Sequence, residues 1–222
     1  MKKWLLPVLL AALFVVLGGL LHTEGLRSID RSIGDFFYGL RNDSITPAVK
    51  AISELGTTTG FVVVLGIALI WTLLVLRNGR YAFWLTISLA GGWLLNKVLK
   101  ALYTRERPDM WDSLVVPDGY SFPSGNAMIS VAFFGVIALL LLRSGRVGNR
   151  IWAVVVLLII LLIGVSRLYL GVHYASDIVG GFLAGAVIAE LCAWGGRGPK
   201  QNIMNREESP PSGGLSSLYV RR

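Results

Sequence analysis

Histidine occurs only twice in the 222 residues, and one of the two, His173, lies in the segment 166–177, which reads SRLYLGVHYASD. Asp177 follows it by four positions, a spacing that a helix would place on one face. An imidazole with a carboxylate behind it has a fixed tautomer and raised basicity, which makes a histidine a useful base or nucleophile. Arg167, six residues before His173, supplies a planar fork of donors suited to phosphate or carboxylate. A plainer reading fits the same residues: an interfacial Arg and His flanking a membrane span, with Asp177 starting the next helix.

A second polar segment repeats the theme. Lys100 and Arg107 stand seven apart, ahead of Pro108, and Ser124-Gly125 opens an apolar run. The start of a helix offers free backbone N–H groups and the positive end of its dipole, both favourable to an anion. Lys100, Arg107, Arg167 and that helix start would form an oxyanion cradle, with His173 as nucleophile and Asp177 orienting it. A phosphoryl group suits the arrangement, because three cations match the charge on its equatorial oxygens and an imidazole can attack phosphorus in line. The alternative for Lys100 and Arg107 is snorkelling at a membrane edge. Lys97 and Arg105 match nothing further, and for them snorkelling is the preferred reading. No acidic cluster has metal-ligand spacing, which points away from a divalent-metal mechanism, and no cofactor is expected.

The elements that must position these residues follow from composition. The chain is 54% hydrophobic and 15% charged, with a mean hydropathy of +0.64. Ordinary soluble domains carry about 25% charged residues. This is an integral membrane protein, so its net charge of +8 speaks to topology rather than to nucleic acid, which is not expected as a partner. Six apolar runs are read as spans, at 4–21, 61–76, 81–98, 127–142, 151–165 and 178–194. The first is longer than a signal peptide's apolar core and no A-x-A cleavage site follows, so it is read as retained. Between the first two spans, Ile29, Ile33, Phe36, Phe37 and Leu40, and then Ile45, Val49, Ile52 and Leu55, recur at helical spacing. They predict two short amphipathic helices at the membrane surface or packed over the spans. His22 at the edge of span one is read as interfacial, without chemistry. The lone Cys192 rules out an intramolecular disulfide. The expected fold is therefore all-α, with residues 1–195 as one six-span membrane domain. The expected remainder, 196–222, is a flexible cytoplasmic tail rich in Gly, Pro and Ser, whose last residues, from about Ser212, could be an addition to the natural chain.

Basic residues set the orientation. The amino terminus, the segments 77–80 and 143–150, and the tail hold twelve Lys and Arg against Glu207 and Glu208, whereas 22–60 has four basic and five acidic residues. Both termini are expected in the cytoplasm, so 100–124 and 166–177 emerge together on the opposite, outer face.

Lys100-x6-Arg107-Pro108, Pro123-Ser124-Gly125 and Ser166-Arg167-x5-His173-x3-Asp177 together resemble the three-part signature of the type 2 phosphatidic-acid phosphatase superfamily. The chain looks most like the bacterial six-span members, similar to phosphatidylglycerophosphate and undecaprenyl-diphosphate phosphatases of the bacterial inner membrane. Soluble vanadium haloperoxidases and glucose-6-phosphatase resemble the same signature, but the six-span size fits the lipid enzymes better. The resemblance implies a helical bundle and metal-independent hydrolysis of lipid mono- or diphosphates through a phosphohistidine. His173 and Asp177 would then be catalytic, with Lys100, Arg107, Ser124, Gly125 and Arg167 binding the substrate phosphate. One position departs: Asn126 stands where the signature has a histidine, implied to be the general acid for the leaving oxygen. Asn can donate a hydrogen bond but cannot deliver a proton, so activity is expected to be reduced. Natural divergence and deliberate substitution both account for Asn126, the second being favoured because the rest of the site is intact; helix capping is its structural alternative. The partners expected are a lipid phosphate and the membrane lipids, with oligomeric state open. The rival reading is a non-catalytic lipid-phosphate binding or transport protein that keeps the cradle and lacks the acid.

Overall fold

Long apolar runs separated by short polar segments fold as helices, because a backbone within lipid must satisfy its own hydrogen bonds. The computed structural model describes residues 2–143 and 147–196. It contains eight α-helices and, among the described residues, no strand. They are α1 (Lys2–Leu20), α2 (Glu24–Gly39), α3 (Thr46–Glu54), α4 (Thr58–Ile70), α5 (Gly79–Tyr103), α6 (Gly125–Arg143), α7 (Val147–Tyr169) and α8 (Ala175–Gly195). A π-helical turn, Trp71–Val75, continues α4. Five helical stretches are long and apolar enough to cross a bilayer: Thr58–Val75, Gly79–Tyr103, Gly125–Arg143, Gly148–Tyr169 and Ala175–Gly195. The sixth candidate is α1, joined to α2 through a 95° bend. The fold is thus an all-helical membrane bundle of five spans plus this bent pair. The tail beyond Gly196 and residues 144–146 of the basic loop lie outside the described residues.

The central helix is α6. Its Ala127, Met128, Phe133 and Val136 have no exposed surface, and it packs between α7, α8 and α5. The small residues of α8 make that packing close: a Cβ at Gly181 would meet the Ser124 carbonyl at 2.9 Å and the Ala127 methyl at 3.0 Å. At the far end, Arg143 on α6 and Glu190 on α8 form an ion pair of 2.6 Å, which settles the partner of that buried carboxylate.

The spans run past the apolar windows at their polar ends. Backbone hydrogen bonding continues where hydropathy drops, so Lys100 lies on α5 and Ser166 and Arg167 lie on α7. The amphipathic helices are present as α2 and α3, with Pro47 in the first turn of α3. The orientation of α2 differs from its apolar stripe. Ile33 and Phe37 pack inward, but Ile29, Phe36 and Leu40 are exposed, and the fully buried positions are Asp30 and Gly34. The reason lies in the loop after α5: Trp111 covers Gly34 and donates to Asp35 at 2.8 Å, and Arg105 reaches Asp30.

Candidate active site

Two loops build the site. The first, 104–124, starts where α5 ends with Thr104 in a left-handed conformation. It folds back through Ser121 N to Arg105 O (2.8 Å) and ends on the buried Phe122, whose ring stacks on Phe14. Asn96 on α5 donates to Pro123 O at 3.1 Å and thereby holds the start of α6 in place. The second loop, 170–174, turns at Gly171, where φ is +72° and a Cβ would collide with the Arg41 guanidinium. Leu114 N to Leu170 O (3.1 Å) and Ser124 N to Asp177 O (3.0 Å) join the two loops. The segments expected to emerge on one face do converge.

His173 and Asp177 are not on one helix turn. His173 lies in the loop and Tyr174 caps α8, so the pair meets across the helix start, with Nδ1 3.4 Å from Oδ2. His173 is 3% exposed and Asp177 fully buried. Ser121 Oγ bridges the two, donating to Asp177 Oδ2 and lying 3.3 Å from His173 Nδ1. Arg107 Nη1 lies 3.2 Å from Nε2 of His173. With a carboxylate at Nδ1, the proton belongs there and Nε2 keeps the lone pair. Burial pulls the imidazole pKa down to about 3, aided by Arg107 and Arg167 and opposed by Asp177. The ring is therefore neutral at physiological pH, as a nucleophile must be.

A cavity of about 620 Å³ opens in front of Nε2. Lys100, Arg107, Gly125, Asn126, Arg167 and His173 line it. Lys100 donates to Tyr120 O (2.6 Å), and Arg107 to the carbonyls of Gly119 (2.8 Å), Asp118 (2.6 Å) and Val172 (2.7 Å). Arg167 donates to Ser53 Oγ (2.6 Å). Among the described residues none of the three is ion-paired with a carboxylate, so their charge is available to an anion. Burial lowers the Arg107 pKa, Asp177 and Asp118 offsetting this only in part. Ser124 Oγ, Asn126 Nδ2 and Arg167 Nε are buried without a protein partner. Asn126 and Arg167 line the cavity, the state expected of groups that await a ligand, whereas Ser124, expected to bind phosphate, does not line it. Asn126 lies inside the first turn of α6 rather than capping it.

Arg105 was expected to snorkel and does not. It is buried, and its guanidinium bridges Asp177 Oδ1 (2.6 Å) and Asp30 Oδ2 (2.8 Å) and lies over the Tyr174 ring. The two carboxylates outweigh the effect of burial and raise its pKa. Lys97 stays exposed, its ammonium 3.8 Å from the centre of the half-exposed Trp93 ring, at the rim of the cavity. Sequence reasoning also passed over Asp30, although it shares one helical stripe with Ile33 and Phe37, where a carboxylate is out of place. His22 is exposed. No three of His, Cys, Asp and Glu converge as metal ligands among the described residues.

Fold and site together define a class: multi-span helical membrane proteins with an anion cradle and a carboxylate-backed imidazole at one end of the bundle. The sequence pattern of the PAP2 superfamily matches residues 81–197, and the chain belongs to that superfamily. It is similar to phosphatidylglycerophosphatase B of Bacillus subtilis (strain 168), 30% identical over 188 residues that cover 82% of this chain and 90% of that one. It is also similar to lipid A 1-phosphatase of Rhizobium johnstonii, 32% identical over 126 residues, covering 52% and 46% of the two chains. Among solved structures, the fold matches a transmembrane PAP2-type phosphatidylglycerolphosphate phosphatase from Bacillus subtilis. The TM-score is 0.73 at 26% identity, over 93% of this chain and 99% of that one. Aquifex aeolicus LpxE shares the fold at a TM-score of 0.58 and 22% identity, over 72% of this chain and 92% of that one.

Proposed function

We propose that this protein removes phosphate from membrane lipid mono- or diphosphates, of the phosphatidylglycerophosphate, phosphatidic acid or undecaprenyl diphosphate class, without a metal. The observation that carries the reading is one cavity in which Lys100, Arg107 and Arg167, none of them ion-paired with a carboxylate, stand together with a neutral imidazole. The cavity shares Thr58, Trp93 and Ile129 as walls with an apolar groove between α4 and α5, which suits the hydrocarbon part of a lipid. The Nε2 lone pair attacks phosphorus, the bond from phosphorus to the lipid-side oxygen breaks, and the bonding pair leaves on that oxygen. Lys100, Arg107 and Arg167 hold the equatorial oxygens, and Asp177 keeps its hydrogen bond from Nδ1–H and stabilises the positive charge that builds on the ring. Water then attacks the phosphohistidine, the P–N pair returns to Nε2, and the water's proton leaves with phosphate. Asn126 can only hydrogen-bond the leaving oxygen, so an alkoxide must take its proton from water, which slows monoester hydrolysis.

The basic-residue asymmetry supports a site on the outer face of a bacterial inner membrane, with both termini cytoplasmic. In a Cys192→Ser background, Val115→Cys should react with an impermeant thiol reagent in intact cells, and Gly79→Cys should not. The reverse pattern inverts the topology.

The activity is tested by phosphate release from the three lipids in one detergent. Release that persists with chelator and falls with vanadate, a mimic of five-coordinate phosphorus, supports the reading. Release abolished by chelation and restored by magnesium sinks the metal-free step. Asn126 favours one alternative, a lipid-phosphate binding protein; lipid binding without release, both with Asn126 and with Asn126→His, would establish it.

A further inference from the structure

The buried charge behind His173 is larger than one carboxylate. Asp177 accepts at both oxygens: Oδ2 from Tyr174 N (2.8 Å), Ser121 and His173, and Oδ1 from Arg105 Nη1 (2.6 Å). Arg105 is held in turn by Asp30, which also accepts from Ser176 N (2.8 Å) and Ser176 Oγ (2.6 Å). Asp30 comes from α2, before the second span, and is 1% exposed. A carboxylate, a guanidinium and a second carboxylate thus run in line from α2 to the imidazole.

We propose that Arg105 and Asp30 are positioning residues for the reaction. Asp30 anchors the Arg105 guanidinium, and Arg105 occupies one oxygen of Asp177, so that His173 directs its Nδ1 proton to the other and presents Nε2 to phosphorus. The physical reason is charge. A buried carboxylate with no cation of its own would hold the imidazole as imidazolium, and an imidazolium has no lone pair at Nε2. The guanidinium takes up enough of the carboxylate's charge to keep the ring neutral, while the second oxygen still sets the tautomer. The groups that face His173 are consistent with this. Arg107 and Ser121 come from the first loop, Lys100 from α5 and Arg167 from α7; Glu54 and Asp118 line the same cavity, and among the described residues Asp177 is the carboxylate hydrogen-bonded to the ring. The role in catalysis rests on the phosphatase reading; the state of the ring does not.

The two-histidine composition makes the test direct. In ¹⁵N-histidine-labelled His22→Gln protein, every ring signal comes from His173. The expected result is a neutral Nδ1–H ring from about pH 5 to about pH 8. Removing Arg105 alone would strand Asp30, so the cleaner variant is Arg105→Met with Asp30→Asn, which keeps an acceptor for Ser176. In that variant His173 should titrate to imidazolium inside the same window, and kcat at the acid end should fall about 10²-fold with KM little changed. Arg105→Lys keeps a cation and should restore the neutral ring, with kcat recovered only in part. A ring unchanged in the folded double variant overturns the proposal. So does a wild-type ring that titrates near its ordinary value or carries its proton on Nε2, a reading that stands even if the double variant does not fold. Wild-type protein that shows the expected ring but releases no phosphate from any lipid sinks the phosphatase reading and leaves the assignment of Arg105 and Asp30 to the state of the ring standing.

Discussion

Arg105 and Arg107 are two residues apart on one loop, are both buried in large part, and serve opposite sides of His173. Arg105 faces α2 and spends its guanidinium on two carboxylates. Arg107 faces the cavity and meets only carbonyl oxygens and the imidazole. The behind-the-ring side is closed, with one guanidinium shared between two carboxylates, whereas the cavity side sets Lys100, Arg107 and Arg167 against dipoles rather than counter-ions. A guanidinium paired with two carboxylates has its charge already neutralised and offers none to a ligand. One held by carbonyls is aimed but still charged, the condition for binding an anion whose charge grows in the transition state. The position of an arginine in a motif matters less than what its fork already holds.

The largest effect should come from the residue at the boundary. In the proposed reaction His173→Ala removes the attacking atom, so turnover should fall by about 10⁴-fold or more with lipid binding retained. A smaller loss, or lost binding, would mean that the cavity side works without a nucleophile and that the division into two sides is wrong.

Next comes Asn126, on the cavity side. General acid catalysis is worth about 10²–10⁴-fold, and most where the leaving group is poor. A lipid monophosphate expels an alkoxide, whereas a lipid diphosphate expels a far more acidic phosphate ester. Asn126→His should therefore accelerate phosphatidic acid hydrolysis by a larger factor than undecaprenyl diphosphate hydrolysis. Equal factors would show that leaving-group chemistry is not what Asn126 limits.

The two arginines themselves should separate activity from stability. Arg107→Ala should cost about 10²–10³-fold in kcat, as loss of one transition-state donor does, and cost less stability than Arg105→Ala, because it strands carbonyls rather than carboxylates. Arg105→Ala leaves two buried carboxylates uncompensated and should cost about 3–5 kcal/mol of stability. Equal destabilisation by both would erase the contrast between the sides.

These two sides were unequally legible in the sequence. The cavity side is written in local spacings: Lys100 to Arg107, Ser124-Gly125, Arg167 to His173 to Asp177. The alternation of spans brings those segments to one end of the bundle. The closed side joins Arg105 to an aspartate 75 positions earlier, on a helix whose apolar residues pointed to a different buried face. An isolated arginine near a membrane edge ordinarily snorkels, and nothing near Arg105 in the chain announces Asp30. Ser121 was hidden for a related reason: it reaches His173 only because the loop closes back on Arg105 O. The place of His173 was missed locally, because the spacing to Asp177 suits a helix but the turn at Gly171 delays α8 until Ala175.

A last effect measures the balance between the two sides. Burial pushes the His173 pKa down, with a smaller push from Arg107 and Arg167, and Asp177 pushes it up; burial wins, at about 3 against 6.5 for the free group. Between those values the unfolded chain binds a proton that the folded chain refuses. Stability therefore rises with pH across this window: the contribution is complete above about pH 6.5 and is lost as pH falls toward about 3. Other carboxylates titrate in the same range, so the comparison is between wild type and His173→Asn, unfolded reversibly in one mild detergent. As the pH drops from about 6.5, wild type should lose stability faster than His173→Asn, because only wild type carries the imidazole. The opposite sign, with wild type gaining on the variant in acid, would mean that the carboxylate side dominates and holds His173 as imidazolium. A protonated ring has no lone pair with which to attack, and the nucleophile would then have to be sought elsewhere in the cavity.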